Sequence, residues 1–144
     1  MKIKAIKLPS GKILASSHRY DFREYKTLDN KYYAVDGGYR LERVLFDERD
    51  FEMIELSIKE NYSEFRCFWI WGTYGKKGKK LLEYKSLKNL GTKHIRNILK
   101  TQKTLDFDTK KIFKKELVYR ENMYKIKTKR KQINGKNKLK KISK

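Results

Sequence analysis

The last twenty residues of the chain are strongly cationic and contain no acidic side chain. Residues 125–144 include nine lysines and one arginine, with no aspartate or glutamate. Like charges at this density repel each other, and such a segment cannot bury enough apolar surface to form a core. The packed part of the protein must come from the preceding residues. We expect 125–144 to be a flexible basic arm, disordered until a polyanion binds.

The rest of the chain is basic as well. The whole sequence has a formal net charge of +21, and residues 1–124 retain 28 Lys and Arg against 17 Asp and Glu. Such an excess is typical of proteins that bind nucleic acid. Lysine bias in an AT-rich genome is the alternative explanation, but AT-rich codons also supply Asp and Glu. The charge therefore favours a nucleic-acid partner, with RNA the favoured one.

Length and composition are those of one domain followed by an arm. The chain of 144 residues contains ten Tyr, seven Phe and two Trp, which can build a core. We predict a single domain at residues 1–124. The single cysteine, Cys67, precludes an internal disulfide and a paired-cysteine metal site, and we expect it to be a small buried residue. No leader peptide or membrane span is visible, so the sequence predicts a cytoplasmic protein with no membrane partner.

Alternating polar and apolar residues predict antiparallel strands over the first 58 residues. Lysines alternate with apolar side chains in residues 2–8, and Pro9 and Gly11 mark the turn that follows. The same pattern predicts further strands at residues 13–17, 22–28, 31–35, 39–46 and 53–58. Breaks at 29–30 and 36–38 separate them. We therefore predict a β-meander of five or six strands.

Helical spacing of apolar residues begins after residue 60. Residues 61–71 have aromatic side chains at this spacing, although a strand is the alternative because aromatic residues favour sheets. Residues 92–101 and 108 to about 125 are predicted helices, with Thr92 and Asp108 at their starts. The predicted fold is α+β: an N-terminal antiparallel β-meander packed against two or three C-terminal helices, with a disordered basic tail.

A loop rich in glycine and lysine at residues 71–80 is the first candidate for phosphate binding. Its glycines allow backbone N–H groups to approach a phosphate, and its cations are Lys76, Lys77, Lys79 and Lys80. Trp71 and Tyr74 can stack on bases. The loop lacks the order of a Walker A motif. The alternative is an ordinary turn after an aromatic segment, with at least one of the two tryptophans in the core.

A second candidate is the group His18, Arg19 and Asp21, which Asp36 can face. A histidine with two carboxylates can hold a divalent metal or act as a general base on a phosphodiester, as in a metal-dependent nuclease. Alternatively, Asp21 caps a turn while His18 and Arg19 contact phosphate. The only other histidine, His94, lies in a predicted helix. We predict no catalytic residue, no metal and no cofactor.

Arginines on the predicted sheet are a third candidate, because genome bias favours lysine and the guanidinium group binds phosphate in a bidentate manner. They are Arg23, Arg40, Arg43 and Arg49. Cross-strand pairing with glutamates is the alternative. At the C-terminal end, the candidate phosphate-binding residues are Arg120, Lys127, Lys129, Arg130 and Lys131. These lie on or after the last predicted helix, whose lysines are otherwise those of an ordinary solvated face.

Five short segments together resemble a family of small proteins from tailed bacteriophages. They are ASSHRYDF at 15–22, VDGG at 35–38, WGTYGKKG at 71–78, HIRNILKTQ at 94–102 and ELVYR at 116–120. The WGTYGKxG segment is the most specific. The chain departs from that family in Lys79, Lys80 and the long basic tail. The resemblance implies an early counter-defence role in the host bacterial cytoplasm, such as an anti-CRISPR protein that engages RNA or an RNA-guided effector complex.

These observations predict a non-enzymatic RNA-binding protein, with a structured, tRNA-like RNA as the favoured partner. The chemistry leaves three alternatives. They are an inhibitor that docks on a protein surface, a sponge for cyclic nucleotides built around the glycine-lysine loop, and a metal-dependent nuclease. The sequence does not determine the particular RNA, the host target or the oligomeric state.

Overall fold

The structure is a computed structural model that describes residues 1–75, 78 and 80–142, and it describes only the backbone of 134–142. The chain divides into two compact units, Met1–Leu90 and Gly91–Lys144. We call them the N-terminal unit and the C-terminal unit. The N-terminal unit contains antiparallel sheets and one helix, and the C-terminal unit is helical. The fold is therefore α+β, as the sequence predicts.

Six strands form two antiparallel sheets in the first 57 residues. The strands are β1 (Lys2–Lys7), β2 (Ile13–Leu14), β3 (Arg23–Lys26), β4 (Tyr32–Asp36), β5 (Arg43–Phe46) and β6 (Glu52–Ser57). One sheet has the order β2-β1-β6 and the other β3-β4-β5. Only the second is a simple meander, since β1 pairs along its length with β6. Period-two alternation predicts strands but not their partners, which explains this difference.

The core of the N-terminal unit lies between these sheets and follows the alternation of β1. Ile3 and Ala5 are completely buried, whereas Lys2 and Lys4 are exposed on the other face. One apolar cluster joins residues from both sheets: Ile6, Leu8, Leu14, Tyr33, Val35 and Leu41. Burial of such side chains contributes about 1.5–3 kcal/mol each. The aromatic and aliphatic content thus forms the expected core.

The segment 61–71, predicted as one helix, contains a helix followed by a strand. Helix α1 spans Tyr62–Phe68, and strand β7 (Ile70–Thr73) pairs with β8 (Glu83–Ser86) as an antiparallel hairpin. Trp69 has extended backbone angles and ends the helix. Asn61 does not cap α1, because its side-chain oxygen accepts a hydrogen bond from the N–H of Ser57 at 3.1 Å. The aromatic residues of this segment are therefore divided between helix α1 and strand β7.

Two helices, α2 (Thr92–Thr101) and α3 (Phe107–Ile142), form the C-terminal unit. Ile95 and Ile98 of α2 are buried, as are Ile112 and Phe113 of α3. Helix α3 is capped by Asp106, whose Oδ1 accepts a hydrogen bond from the N–H of Thr109 at 2.8 Å. That hydrogen bond lowers the pKa of the Asp106 carboxyl. The cap thus lies two residues before the predicted Asp108.

Helix α3 is longer than predicted, because it continues past residue 125 to Ile142. Lysine, arginine, glutamine and leucine are good helix formers, and the segment contains no proline to interrupt the backbone ladder. Every residue from 121 to 133 is exposed, which agrees with the expectation that this segment builds no core. A domain boundary at residue 124 stays a prediction. Among the described residues, no helix combines the length and apolarity that a bilayer crossing requires.

Candidate nucleic-acid interface

The positive charge of the chain is concentrated in the C-terminal unit. Residues 1–90 contain 19 Lys and Arg with 13 Asp and Glu, a net charge of +6. Residues 91–144 also contain 19 Lys and Arg but only 4 acidic residues, a net charge of +15 in a shorter segment. A phosphate backbone is attracted most strongly to the surface with the larger net charge. The helical unit is therefore the stronger electrostatic candidate.

The end of α3 presents this charge on a continuous helix. We call residues 121–142 the lysine segment. Within its described side chains, the exposed cations are Lys125, Lys127, Lys129, Arg130 and Lys131, and Glu121 is the single acid. Four of these are predicted site residues, namely Lys127, Lys129, Arg130 and Lys131. At about 1.5 Å of rise per residue, the lysine segment extends about 33 Å.

Residues 121–133 of the lysine segment are exposed because α3 is much longer than its partner helix. The hydroxyl oxygen of Thr92, at the start of α2, accepts a hydrogen bond from the guanidinium of Arg120 at 2.9 Å. The two helices are therefore antiparallel, and the start of α2 lies beside residue 120. Beyond residue 120, the described part of α3 has no neighbouring helix within this unit. The lysines of residues 121–133 form no ion pair with another described side chain, so they can contact a ligand directly.

Arg120 itself belongs to the packing of the C-terminal unit. Its side chain is 19% exposed and its Nε donates to Glu116 Oε1 at 2.6 Å, while Glu116 is completely buried. The same guanidinium donates to Thr92, whose hydroxyl was expected to cap α2. Neutralising a buried carboxylate requires a partner fixed in this way. We therefore assign Arg120 a structural role and leave it out of the candidate interface.

A row of cations on α2 extends the basic surface of the same unit. Lys93, Arg96 and Lys100 are exposed, and none of them forms an ion pair with a described residue. Spacings of three and four residues place them along one side of the helix. Lys111 and Lys114 are exposed in the same way on α3. The helix pair thus presents candidate phosphate-binding groups besides those of the lysine segment.

In the N-terminal unit, the loop that contains His18 is held in a single conformation by Ser16. The buried Ser16 hydroxyl accepts a hydrogen bond from the N–H of Gly38 at 2.7 Å and donates to the carbonyl of Asp21 at 2.8 Å. Gly38 has a φ of +71°, and a Cβ there would lie 3.1 Å from the carbonyl carbon of His18. The loop 16–21 is therefore packed directly against the turn at residues 37–40.

Replacing Gly38 with alanine should destabilise the N-terminal unit and displace the His18 loop. Both the positive φ and the close contact oppose a side chain, with an expected cost of about 1–3 kcal/mol in the free energy of unfolding. Gly11→Ala is the matched control, because Gly11 has a φ of +83° but no neighbour within 4 Å of the position that a Cβ would take. Thermal unfolding of both variants measures the difference. Equal destabilisation would show that the contact with His18 contributes nothing.

The acidic residues near His18 are already engaged with arginines. Asp21 accepts from the N–H of Ser17 at 2.8 Å and from Arg23 Nε at 2.5 Å. Asp36 accepts from Arg43 at 2.6 Å, and this hydrogen bond lowers the pKa of the Asp36 carboxyl. Asp21 thus fixes the turn, as one of the two sequence interpretations proposes. In the described part of the chain, no three His, Cys, Asp or Glu side chains are grouped so that they could hold a metal ion.

The aromatic groups next to this loop are exposed. The His18 ring stacks on that of Tyr84 with centroids 4.7 Å apart and planes 24° apart. Arg19 lies over the ring of Tyr20, with its guanidinium carbon 5.9 Å from the centroid, and Tyr20 is 83% exposed. Such pairs of a ring with a planar polar group can stack on an unpaired base. His18 and Arg19 therefore lie in a surface suited to base contact.

Of the four sheet arginines, Arg40 and Arg43 are the two predicted site residues, and they differ in what surrounds them. Arg43 forms the ion pair with Asp36, so its guanidinium is partly neutralised. Arg40 ends the short 3₁₀ helix Gly38–Arg40, is exposed, and forms no ion pair with a described residue. Gly38 lies close to the backbone of His18 and Arg19. Arg40 is only two residues further along the chain, so its backbone lies near this loop. Arg40 is the better candidate of the two for contact with a phosphate.

The glycine-lysine loop connects β7 to β8. Lys76, Lys77 and Lys79 lie outside the described residues, so their predicted role stays a prediction. Lys80 is exposed, and Tyr74 is 56% exposed at the base of the loop. Trp71 is half-buried and stacks on the buried Trp69 at 6.3 Å. Trp71 is thus less available to a base than predicted, because both tryptophans lie on the same face of the hairpin.

Sequence reasoning missed Tyr84 and Tyr20 as candidate ligand-binding residues. Tyr84 pairs across the hairpin with Gly72. Gly72 has no side chain, and this leaves room for the Tyr84 ring, which would lie 3.3 Å from a Cβ placed on Gly72. The sequence of β8 has no polar–apolar alternation that would reveal its exposure, and its contact with His18 is a tertiary feature. Tyr20 adjoins Arg19 in the sequence and could have been found as a cation–aromatic pair.

Comparison with protein-family profiles, with curated proteins and with solved structures found no significant match.

Proposed function

We propose that this protein is a non-enzymatic RNA-binding protein whose lysine segment supplies the main phosphate contacts. The observation that carries the proposal is the exposure of every side chain from 121 to 133 on a helix with five cations and one acid. A helical stretch exposed on all sides has no packing function within its own unit. Its lysines are available to release condensed counterions from a phosphate backbone.

The length of the lysine segment suits a polyanion. A nucleic-acid duplex presents one phosphate charge per about 1.7 Å of its axis, or about 20 over the 33 Å of the segment. The ten cations of residues 125–144 are fewer than this. The polyanion therefore offers enough phosphates for the cations on whichever side of the helix faces it, and the row Lys93, Arg96 and Lys100 can add further contacts.

RNA is favoured over duplex DNA because of the N-terminal unit. The stacked pair of His18 and Tyr84 and the exposed pair of Arg19 and Tyr20 offer flat surfaces to unpaired bases. Structured RNA contains loops and bulges with such bases, whereas a DNA duplex keeps its bases stacked inside. A tRNA-like RNA is accordingly the preferred partner.

For the biological role, the resemblance to small phage proteins is the only support. We take the protein to act in the host bacterial cytoplasm as a counter-defence inhibitor. It would engage either a structured RNA or the RNA of an RNA-guided effector complex. Basic surfaces that contact backbone and shape need no sequence code, which suits an inhibitor that must capture a large ribonucleoprotein.

The direct test is the salt dependence of binding to a purified tRNA. With six or more phosphate contacts, the association constant should fall by about 10³-fold or more between about 50 and 200 mM salt. Protein purified at low salt should carry nucleic acid, visible in the ratio of absorbance at 260 and 280 nm. A duplex DNA of equal charge should bind more weakly. Absence of RNA binding at low salt would contradict the proposal.

Alanine at Lys76, Lys77, Lys79 and Lys80 tests the glycine-lysine loop against the lysine segment. If the loop is a second phosphate site, this variant should lose about three of the contacts seen in the salt slope. Lys80, the described member of this set, is exposed, and circular dichroism checks that the variant keeps its fold. An unaltered slope, measured with the same tRNA, would assign the phosphate contacts to the C-terminal unit.

One observation favours a second candidate, an inhibitor that docks on an acidic protein surface. Met123, Ile126 and Ile133 are exposed at spacings of three and seven residues, which places them on one side of α3. Arg130 lies on the same side. An acidic amphipathic helix could bury this stripe and pair with the surrounding cations. Binding to such a partner would leave the ratio of absorbance at 260 and 280 nm that of pure protein.

A further inference from the structure

An open cleft of about 420 Å³ lies within the N-terminal unit beside the stacked rings of His18 and Tyr84. It is lined by four stretches of chain, within residues 12–18, 23–24, 67–70 and 84–89. Pockets for small ligands typically have volumes of about 300–1,000 Å³. The cleft is thus large enough for one nucleotide and belongs to a single unit.

One wall of the cleft is aromatic and held in position. The His18 and Tyr84 rings stack at 4.7 Å, and His18 Nδ1 accepts a hydrogen bond from the N–H of Tyr20 at 3.3 Å. Because Nδ1 is engaged in this contact, Nε2 is the ring nitrogen left to interact with a ligand. Because the loop around His18 is fixed by Ser16, the rings need no reordering to receive a flat ligand.

Lys12 and Arg23 supply positive charge to the cleft. The Lys12 ammonium lies 3.6 Å from the centroid of the Tyr25 ring, which holds the side chain beside the cleft. Arg23 uses its Nε to pair with Asp21, and its two terminal nitrogens have no hydrogen-bond partner among the described residues. A guanidinium fork in this position suits a phosphate.

Two of the remaining polar groups of the cleft can read the edge of a base, while the carboxylate of Glu24, which also lines the cleft, accepts a hydrogen bond from the Tyr32 hydroxyl at 3.3 Å. The side chains of Ser86 and Asn89 line it and form no hydrogen bond within the described part of the chain. Ile70 and Phe68 supply apolar surface between them. An aromatic surface, a cationic side and a few polar groups are the three elements of a nucleotide-binding pocket.

We infer that this cleft binds a single nucleotide, with the base against His18 and Tyr84 and the phosphate against Lys12 and Arg23. The ligand is either a free 5′-nucleotide or one unpaired nucleotide of an RNA. Both sources present the same base and phosphate. The second source rests on the RNA binding proposed above, whereas the first does not.

Cys67 provides a built-in probe, because it is the single cysteine of the chain and lines the cleft. It is half-buried, whereas the sequence predicted a buried residue, so its thiol can react from the cleft. Millimolar AMP should slow the reaction of this thiol with a chromogenic disulfide severalfold. Adenosine alone or inorganic phosphate alone should have much weaker effects, since each lacks one of the two groups. Protection by inorganic phosphate equal to that by AMP would overturn the assignment of the aromatic wall to the base.

Tyr84→Ala should abolish this protection, and Tyr84→Phe should keep it. Base stacking contributes about 1–3 kcal/mol, so loss of the ring corresponds to an affinity reduction of roughly tenfold or more. Tyr84 is 49% exposed, so its removal should leave the melting temperature nearly unchanged. Lys12→Gln should weaken the binding of AMP without changing the binding of adenosine.

An RNA hairpin with one bulged adenine, compared with the fully paired hairpin, distinguishes the two sources. If the RNA supplies the nucleotide, the bulged hairpin should bind roughly tenfold more tightly, and Tyr84→Ala should remove this preference. AMP protection without a preference for the bulge identifies a free nucleotide as the ligand. If AMP fails to protect Cys67 and Tyr84→Ala leaves the preference for the bulge unchanged, the inference is wrong.

A variant of the lysine segment keeps this result separate from the proposed function. Glutamine at Lys127, Lys129, Arg130 and Lys131 should weaken RNA binding while AMP still protects Cys67, because none of these residues lines the cleft. AMP protection in a protein that binds no RNA would contradict RNA binding but support the cleft. If the protein binds RNA, but AMP does not protect Cys67 and Tyr84→Ala has no effect, the result would support RNA binding and contradict the nucleotide cleft.

Discussion

Glutamine at Lys127, Lys129, Arg130 and Lys131 should reduce the affinity for a tRNA on the order of 10²-fold at about 0.15 M salt. Each phosphate contact adds about 0.7–0.9 to the slope of log K against log salt, so the slope should fall by about 3. Glutamine preserves helix propensity, and these side chains are exposed. Filter binding or fluorescence anisotropy across a salt series measures both quantities.

The matched control removes the same charge from the N-terminal unit. Glutamine at the exposed residues Lys4, Lys7, Lys26 and Lys59 lowers the net charge equally. If the affinity for RNA depends only on the net charge of the protein, both variants should lose affinity by the same factor. We expect the control to lose much less, because its lysines are scattered over separate strands and turns. Equal losses would contradict a defined interface on α3.

Deleting residues 125–144 extends the same experiment. Because the described side chains of this segment are exposed, the deletion should leave the thermal stability nearly unchanged while weakening RNA binding further. It should also flatten the salt slope more than the four substitutions do, since ten cations are removed. A large fall in melting temperature would show that the segment is structural.

Arg120→Ala should destabilise the protein more than any of the other single substitutions. The change leaves the completely buried Glu116 without its guanidinium partner. Removing one member of a buried ion pair costs about 3–5 kcal/mol of the free energy of unfolding. Chemical denaturation followed by circular dichroism measures the loss, which should fall on the helical signal. The affinity for RNA, measured well below the melting temperature, should be unchanged.

Two further variants make this result specific. Arg96→Ala removes an exposed arginine of α2 that forms no ion pair with a described residue, and it should change stability little. Glu116→Leu combined with Arg120→Met should recover much of the lost stability, because a well-packed apolar pair can replace a buried ion pair. A stable Arg120→Ala variant that binds RNA weakly would instead identify Arg120 as a phosphate contact.

The secondary structure could be predicted well where a single periodicity runs through an element. The alternation of β1 and the helical spacing of α2 each require one buried face, so the pattern identifies the element. The segment 61–71 was harder, because Trp69 ends a helix and starts an extended stretch in a row of aromatic residues. The pairing of β1 with β6 has no signal in either strand, since alternation is compatible with any partner.

The candidate site shows the same division. His18 and Arg19 form a local cluster in the sequence and Arg40 is one of the predicted sheet arginines, and all three lie at exposed or half-exposed positions. Trp71 was predicted to bind a base because it adjoins the glycine-lysine loop, but its ring packs on the ring of Trp69. Tyr84, which stacks on His18, lies far from it in the chain, and no spacing rule connects the two.

The amount and sign of the charge were determined by the sequence, since formal charges add regardless of how the chain folds. Which cations remain available to a ligand was decided only by the tertiary structure. Arg120 and Arg43 are consumed by carboxylates that the fold brings within 2.6 Å, whereas the end of α3 keeps its lysines because its partner helix begins beside residue 120. The Glu116–Arg120 pair lies within one turn of α3, but its burial, its hydrogen bond to Thr92 and the position where the partner helix begins depend on packing that composition does not encode.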